Sequence, residues 1–196
     1  MWIRPKVQPM PLPVRVGAVV VFAALLPAGA SSAHEARVSF CRATQLALTM
    51  GPEVSEATGQ NPFAVRLTNR GRVSCVLNGY PVVSFSDRRG PLPLVVRHGG
   101  GHGGDQQVTR NSPRRVLIRP GRAAYVILNK YRCDLGALRV ATRMQLALPN
   151  SSARSVGSIS LRSLGGTFAY CKRVSTFNLV SVSPFVPSTA AGLVRY

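Results

Sequence analysis

The chain has 196 residues, of which 45% are hydrophobic, enough to bury the core of one domain of ordinary size. Its 18 glycines and 15 prolines interrupt the sequence too often for long helices, which excludes helix-based fold classes. The net charge of +19, from 25 Lys and Arg against 6 Asp and Glu, favours anionic polymers or membrane surfaces as partners.

The first thirty-odd residues have the organisation of a secretory signal peptide. Residues 1–15 carry three basic and no acidic side chains, and the apolar run Val16–Leu26 follows without interruption. The small residues Ala28–Ala30 and Ser31–Ala33 then offer signal-peptidase sites. We therefore predict residues 1–33 as a signal peptide cleaved between Ala30 and Ala33, and residues 34–196 as a single domain.

The length of the apolar run indicates release from the membrane. It has 11 residues, whereas a spanning helix needs about 20. An uncleaved anchor is the alternative. A lipoprotein would need a cysteine directly after the run, and the first one is Cys41. The sequence thus predicts a protein that is secreted or retained in the cell envelope.

The rest of the chain consists of short apolar stretches separated by turn residues. The clearest begins at Phe63, where Phe63, Val65 and Leu67 alternate with other residues and should form a core face. Ten stretches are predicted as strands: 45–49, 63–68, 73–77, 82–85, 92–96, 116–118, 123–128, 138–148, 156–161 and 179–186. Their number and spacing predict an all-β fold, a two-sheet antiparallel β-sandwich.

Two connections in this array carry specific expectations. Asn78-Gly79 is a tight-turn dipeptide, so the strands around it are predicted to form a hairpin-like array. The segment from His98 to Gln107 is too rich in glycine to hold a strand and is predicted to be a mobile loop. It is no phosphate-binding P-loop, because the Lys-Ser/Thr pair and the following helix are missing.

Arginines dominate the charge after the leader, where 22 basic residues face 6 acidic ones, about +16 in all. Four lie close together in sequence beside a predicted strand and form the candidate site for an anionic envelope polymer or membrane surface: Arg110, Arg114, Arg115 and Arg119. Compositional drift toward arginine is the alternative. Nucleic acid is not an expected partner, because the nearby aromatics (Phe63, Phe85, Tyr125) are predicted on core faces. Oligomeric state is not indicated.

The four cysteines all follow the leader: Cys41, Cys75, Cys133 and Cys171. An even number in an exported chain predicts two disulfides, and the absence of a C-x-x-C pair argues against zinc. Three connectivities are possible. We favour Cys41 with Cys75 and Cys133 with Cys171, because each pair encloses one compact half of the chain.

Catalytic patterns are missing from the sequence. There is no G-x-S-x-G motif and no cysteine is spare once two disulfides form. Glu53 and Glu56 share one exposed loop, which argues against glycosidase chemistry. We predict a non-enzymatic binding or structural module without catalytic residues or cofactors.

The alternative function is copper binding or copper-dependent oxidation. Cleavage after Ala33 would make His34 the first residue, and its α-amine and imidazole together with a second histidine would form a copper brace. His98 and His102 are the candidate partners, although the glycines around them would not hold a rigid geometry.

A longer pattern resembles a known family. The stretch Cys75–Pro81 (C-V-L-N-G-Y-P), Arg119-Pro120-Gly121 and the four cysteines are similar to domain of unknown function 4232, a family of exported actinobacterial proteins. The resemblance spans nearly the whole mature chain and implies an Ig-like β-sandwich with no transferable activity. The motif itself is expected to be architectural, with the ring of Tyr80 packed inward.

Overall fold

The computed structural model describes residues 38–55, 59–102, 105–133, 136–149, 155–172 and 176–194. Thirteen strands are found there: β1 (Leu46–Met50), β2 (Gln60–Asn69), β3 (Cys75–Leu77), β4 (Val82–Asp87), β5 (Gly90–Pro91), β6 (Val95–His98), β7 (Val116–Ile118), β8 (Ala123–Tyr131), β9 (Ala137–Val140), β10 (Arg143–Ala147), β11 (Ser155–Ser160), β12 (Ala169–Cys171) and β13 (Leu179–Val182).

Helical structure in these ranges is limited to single turns. Three are 3₁₀ turns, at Ala43–Gln45, Arg162–Leu164 and Thr176–Asn178, and one is an α-helical turn, α1 (Thr189–Gly192). Within the described ranges no helix is long and apolar enough to cross a membrane.

The strands form two larger and two smaller sheets. The order in the five-stranded sheet is β1-β2-β8-β13-β6, and in the four-stranded sheet it is β11-β10-β4-β5. The pairs β12-β9 and β3-β7 form the smaller sheets. The prediction of an all-β, antiparallel fold is confirmed, with one departure, since β13 and β6 pair in parallel. The immunoglobulin-like topology stays a prediction.

The larger of two apolar clusters in the described residues lies between the sheets. Phe63, Val65 and Leu67 on β2 are buried in it, as the alternation predicts. The four-stranded sheet contributes Phe85 and others to the same core, and the ring of Phe168 stacks on Phe85 at 4.9 Å between centroids. Each such side chain contributes about 1.5–3 kcal/mol on full burial.

Both predicted disulfides are present. Cys41–Cys75 ties the segment before β1 to β3, and Cys133–Cys171 ties the end of β8 to β12. The reason given for this pairing, however, is wrong. β2, inside the first disulfide loop, pairs with β8, outside it, along nine residue pairs from Gln60 to Thr68. The two halves of the chain are therefore interleaved.

The hairpin-like array around Asn78-Gly79 is also wrong. Gly79 turns the chain with a φ of 88°, a conformation that glycine adopts without strain. Even so, β2, β3 and β4 belong to three different sheets, because β3 pairs with β7 and β4 with β10. The turn directs the chain from one sheet to another.

Most predicted strands lie within a few residues of the observed bounds, two differ more, and two strands, β5 and β12, were missed. The stretch 138–148 is two strands, because the N–H of Ala141 donates to Phe168 O and that of Thr142 to Ser86 O where the chain changes sheets. The last predicted strand, 179–186, ends as β13 at Val182. β12, at Ala169–Cys171, has only three residues and too short an alternation to predict.

Candidate functional site

The predicted arginine group meets the fold at β7. This strand buries Val116 and Ile118 and turns Leu117 outward, where it is 52% exposed. Arg115 directly precedes β7 and Arg119 directly follows it, and both are exposed. The alternation of β7, continued by one residue at each end, assigns both to the face of Leu117. In the described ranges β7 has one strand neighbour, β3, which leaves its second edge unpaired.

An apolar row crosses the same face. Phe40 forms a bridge with Val76 on β3, and Val76 lies opposite Leu117 on β7. The ring of Phe40 is 63% exposed, and the guanidinium of Arg115 lies 5.8 Å from its centroid. Cation–π contacts of this kind contribute about 0.5–1 kcal/mol at exposed sites. We call the exposed surface formed by Phe40, Arg115, Leu117 and Arg119 the β7 face, to which the buried Val76 (5% exposed) does not contribute.

A groove adjoins the β7 face. It has a volume of about 310 Å³, and Phe40, Val76, Leu148 and Pro149 are among its lining residues. The Cys41–Cys75 disulfide fixes its wall, because it holds the segment with Phe40 against β3. A mainly apolar groove beside a face that carries exposed arginines suits an amphiphilic partner better than a purely polar one.

The other two predicted arginines are placed differently. Arg110 approaches Gly101 in the glycine-rich loop and lines a separate cavity with Thr109 and Leu193. Arg114 is exposed in the segment before β7. The fold thus brings two of the four arginines, Arg115 and Arg119, onto the β7 face.

The glycine-rich loop is tied to its surroundings by backbone hydrogen bonds. Gly99 N donates to Val182 O at 2.8 Å and Gly100 N to Thr109 O at 3.0 Å. A Cβ on Gly100 would collide with the carbonyl of Val108, so close backbone approach explains this glycine. The loop also joins β6 to β7, which lie in different sheets, and is not a hairpin connection.

The candidate metal ligands are only partly described. His34 lies outside the described residues. The ring of His98 stacks on that of Tyr80 at 4.4 Å, and His102 Nε2 lies 3.2 Å from His98 O. In the described part of the chain, no group of three His, Cys, Asp or Glu side chains is placed to hold a metal.

The same contact corrects the expectation for Tyr80. Its ring is half-buried and stacks on His98 at the end of β6, whereas the motif predicted an inward-packed ring. Tyr125 was also predicted on the core face, but it is half-buried and alternates with the buried Ala124 and Val126. In both cases a ring that was predicted to lie in the core is only half-buried.

A buried polar cluster under the glycine-rich loop was missed from the sequence. Asp105 Oδ1 accepts from Asn129 Nδ2 at 2.6 Å and from the backbone N–H of Gln107 at 2.8 Å. Among the described residues, Asp105 Oδ2 and Asn129 Oδ1 are buried without a hydrogen-bond partner. The cluster ties Asp105, in the glycine-rich loop, to Asn129 on β8.

Lys130 is a second missed group. Its side chain is 1% exposed on the core side of β8, and burial lowers its pKa to about 8. Nζ donates to Tyr131 O at 2.9 Å and lies 3.5 Å from Cys171 Sγ, beside the second disulfide. Alternation with the buried Leu128 and Val126 was the signal that could have placed it inside.

Carboxylates are scarce near these arginines. The described ranges hold three of the acidic residues, namely Glu53, Asp87 and Asp105. Asp105 is buried, and Asp87 pairs with Arg139 in the one ion pair of the described residues. The positive charge of the β7 face is therefore not neutralised by a described carboxylate.

Comparison with known proteins gives one match. A family model with the description "Domain of unknown function (DUF4232)" matches residues 41–176, about two thirds of the chain. No curated protein and no solved structure matches the chain.

Proposed function

We propose that this chain, which belongs to the family described as Domain of unknown function (DUF4232), works as a non-catalytic binding module of the cell envelope that docks on anionic membranes. The β7 face is the docking surface. The leader at residues 1–33 supports delivery outside the cytoplasm, where the two disulfides would be stable.

One observation carries the proposal: exposed apolar and cationic side chains alternate along the outward face of β7. Arg115 and Arg119 flank Leu117, and Phe40 lies beneath Arg115. At a lipid surface such arginines contact anionic headgroups while the apolar side chains enter the boundary of the acyl region. Each arginine contributes about 1 kcal/mol near an anionic leaflet, so binding is expected to be weak, reversible and salt-dependent.

The apolar row favours a membrane over a wall polymer. A polyanion would contact Arg115 and Arg119 alone and would leave Phe40 and Leu117 in water. The side chains that are 63% and 52% exposed would then gain nothing from binding. Dependence of binding on these two residues therefore distinguishes the two partners.

The test is cosedimentation of the mature protein with phosphatidylglycerol vesicles, compared with phosphatidylcholine vesicles. We expect binding only to the anionic vesicles and loss of that binding at high salt. R115Q/R119Q should weaken it about 30-fold, since two contributions of about 1 kcal/mol are removed. R66Q/R97Q is the matched control, because both of these arginines are exposed on the five-stranded sheet.

The apolar residues are tested separately. F40S/L117S keeps the charge and should weaken vesicle binding while leaving binding to a soluble teichoic-acid-type polyphosphate unchanged. If R115Q/R119Q and R66Q/R97Q weaken vesicle binding equally, attraction is a property of the net charge and the β7 face has no docking role. If F40S/L117S has no effect on vesicle binding, the partner is a polymer and the membrane proposal fails.

A further inference from the structure

A second cationic surface, remote in sequence from β7, forms where three segments meet. Arg88 and Arg89 lie at the turn between β4 and β5, and Arg162 lies in the 3₁₀ turn after β11. Together with Leu138 and Val140 on β9, they line an open basin of about 490 Å³. We call this site the arginine basin. Its volume lies within the range of small-molecule sites, about 300–1,000 Å³.

The walls of the basin are fixed by an arginine that is itself fully engaged. Arg139 Nε donates to Asp87 Oδ2 at 2.9 Å, and Nη2 donates to the other carboxylate oxygen. Two further bonds reach the carbonyls of Pro91 (3.0 Å) and Gly90 (2.9 Å). Arg139 on β9 therefore holds the β4–β5 turn, with Arg88 and Arg89 at its tip, against the smaller sheet.

Asp87 also shapes the turn from within. Its Oδ1 accepts the backbone N–H of Arg89 at 2.7 Å, so one carboxylate sets both the turn and its contact with β9. The guanidinium of Arg139 holds the pKa of Asp87 down at about 2. The charge of Arg89 also contributes to this lowered pKa, but the ion pair that Asp87 forms is with Arg139.

Three guanidiniums, those of Arg88, Arg89 and Arg162, line the basin without a salt bridge to a carboxylate among the described residues, against the single carboxylate of Asp87. Mutual repulsion of these positive charges destabilises the folded protein, and a bound anion would reduce that repulsion. Apolar side chains share this lining, because Leu138 is 54% and Val140 40% exposed. A ligand with an anionic group joined to an apolar portion fits both kinds of side chain.

We infer that the arginine basin binds an organic phosphate monoester whose carbon portion lies on Leu138 and Val140. A phosphate monoester carries a charge of about −1.5 to −2 and three acceptor oxygens, which matches several forked donors better than a single carboxylate does. The ligand can be a soluble phosphate ester or the headgroup of a phosphatidic-acid-type lipid. Both sources present the same chemistry to the arginines.

Isothermal titration with hexyl phosphate at low salt tests the inference, with inorganic phosphate and hexanol as comparison ligands. We expect hexyl phosphate to bind more tightly than inorganic phosphate, and hexanol not to bind. R88Q/R89Q should weaken the binding of hexyl phosphate at least about tenfold. R162Q alone should also weaken it, because this arginine comes from a separate segment.

Matched variants separate a site from general attraction. R66Q/R97Q is the control for R88Q/R89Q, because it removes the same charge from another sheet. R66Q is the single-charge control for R162Q. Both controls should retain affinity for hexyl phosphate. L138S/V140S should abolish the preference for hexyl phosphate over inorganic phosphate while leaving inorganic phosphate binding unchanged.

Folding is checked by thermal denaturation, in which R88Q/R89Q should melt at or above the wild-type temperature because like charges are removed. Equal losses of hexyl phosphate affinity in R88Q/R89Q and R66Q/R97Q, or no hexyl phosphate binding to the wild type at low salt, would overturn the inference.

Vesicles containing phosphatidic acid show whether the ligand is a lipid or a soluble phosphate ester. If the natural ligand is a lipid, R162Q should weaken binding of the protein to these vesicles. If it is a soluble phosphate ester, R162Q should leave vesicle binding unchanged and only the β7 face variants should weaken it.

Discussion

The β7 face and the arginine basin both collect arginines, but the fold assembles them in different ways. Arg115 and Arg119 flank one strand and meet through alternation alone. The basin takes Arg88 and Arg89 from one turn and Arg162 from another, and needs the Asp87–Arg139 pair to bring these segments together. Alternation along one strand therefore identifies the first surface, whereas the second exists only once the chain has folded.

Each surface also has its own disulfide. Cys41 adjoins Phe40 and is bonded to Cys75 on β3, which supports the β7 face. Cys171 closes β12, the partner strand of β9, and is bonded to Cys133 at the end of β8. The two disulfides have nearly equal sequence separations, 34 and 38 residues, so differences between them arise from their surroundings.

Removing one disulfide at a time has the largest expected effect. C41A/C75A and C133A/C171A should each lower the free energy of unfolding by about 2–4 kcal/mol, measured by urea denaturation. The first variant should also lose vesicle binding, because Phe40 is released from β3. The second should lose hexyl phosphate binding, because β9 loses the anchorage of β12. If each variant weakened vesicle binding and hexyl phosphate binding equally, the two surfaces would not be independent.

Lys130 makes the region of the second disulfide energetically different from that of the first. K130M keeps the apolar stem and removes a buried charge, so we expect a gain of about 1–2 kcal/mol in the free energy of unfolding at pH 7. The native pKa of about 8 lies below the ordinary 10.5, so the unfolded chain binds more protons between these values. Wild-type stability should therefore rise from pH 8 to pH 10.5, and the advantage of K130M should shrink over that range. A constant difference would contradict a buried, deprotonating amine.

Lowering the pH should weaken the structure around the arginine basin, where Asp87 titrates, and should not affect the β7 face, which has no carboxylate. The native pKa of Asp87 is about 2 and its ordinary value is 3.8, so its contribution is fully present above about pH 4 and disappears toward pH 2. D87N should melt at a lower temperature than the wild type at pH 7. The difference between the two melting temperatures should vanish as the pH approaches 2. R115Q/R119Q serves as the control, since its melting temperature relative to the wild type should not change with pH in that window.

The smallest effect is expected at the two predicted arginines that lie off the β7 face. R110Q/R114Q removes the same charge as R115Q/R119Q, yet should change vesicle affinity by no more than the matched control R66Q/R97Q does. Cosedimentation at low salt measures the difference. A loss as large as that of R115Q/R119Q would show that sequence proximity defines the docking surface after all.

Strand positions and the disulfides could be predicted because their signals are local. The alternation of Phe63, Val65 and Leu67 marks a core face directly. Strand pairing carries no such signal, which is why the turn at Gly79 was assigned to a hairpin although β3 pairs with β7. The break at Ala141-Thr142 was missed because its cause is hydrogen bonding to distant backbone groups.

The candidate sites divide in the same way. Arg115 and Arg119 were identified from their positions beside a strand, but the contribution of Phe40 depends on its bridge to Val76, which no local pattern indicates. Arg162 joins the basin through tertiary structure alone. Lys130 was predictable in principle, since it continues the core-facing alternation of β8.

The position of β13 has a consequence for the order in which the molecule can fold. β13 lies between β8 and β6, and among the described strands it is the only partner of β6, with Val95 opposite Leu179. During synthesis β6 emerges before β13, so β6 has no partner strand until β13 has been made. Contacts between segments so distant in sequence slow folding, and the open edge of β8 invites association with other chains meanwhile. Synthesis that stops before Leu179 would leave both edges exposed, so the five-stranded sheet is completed only after β13 has emerged.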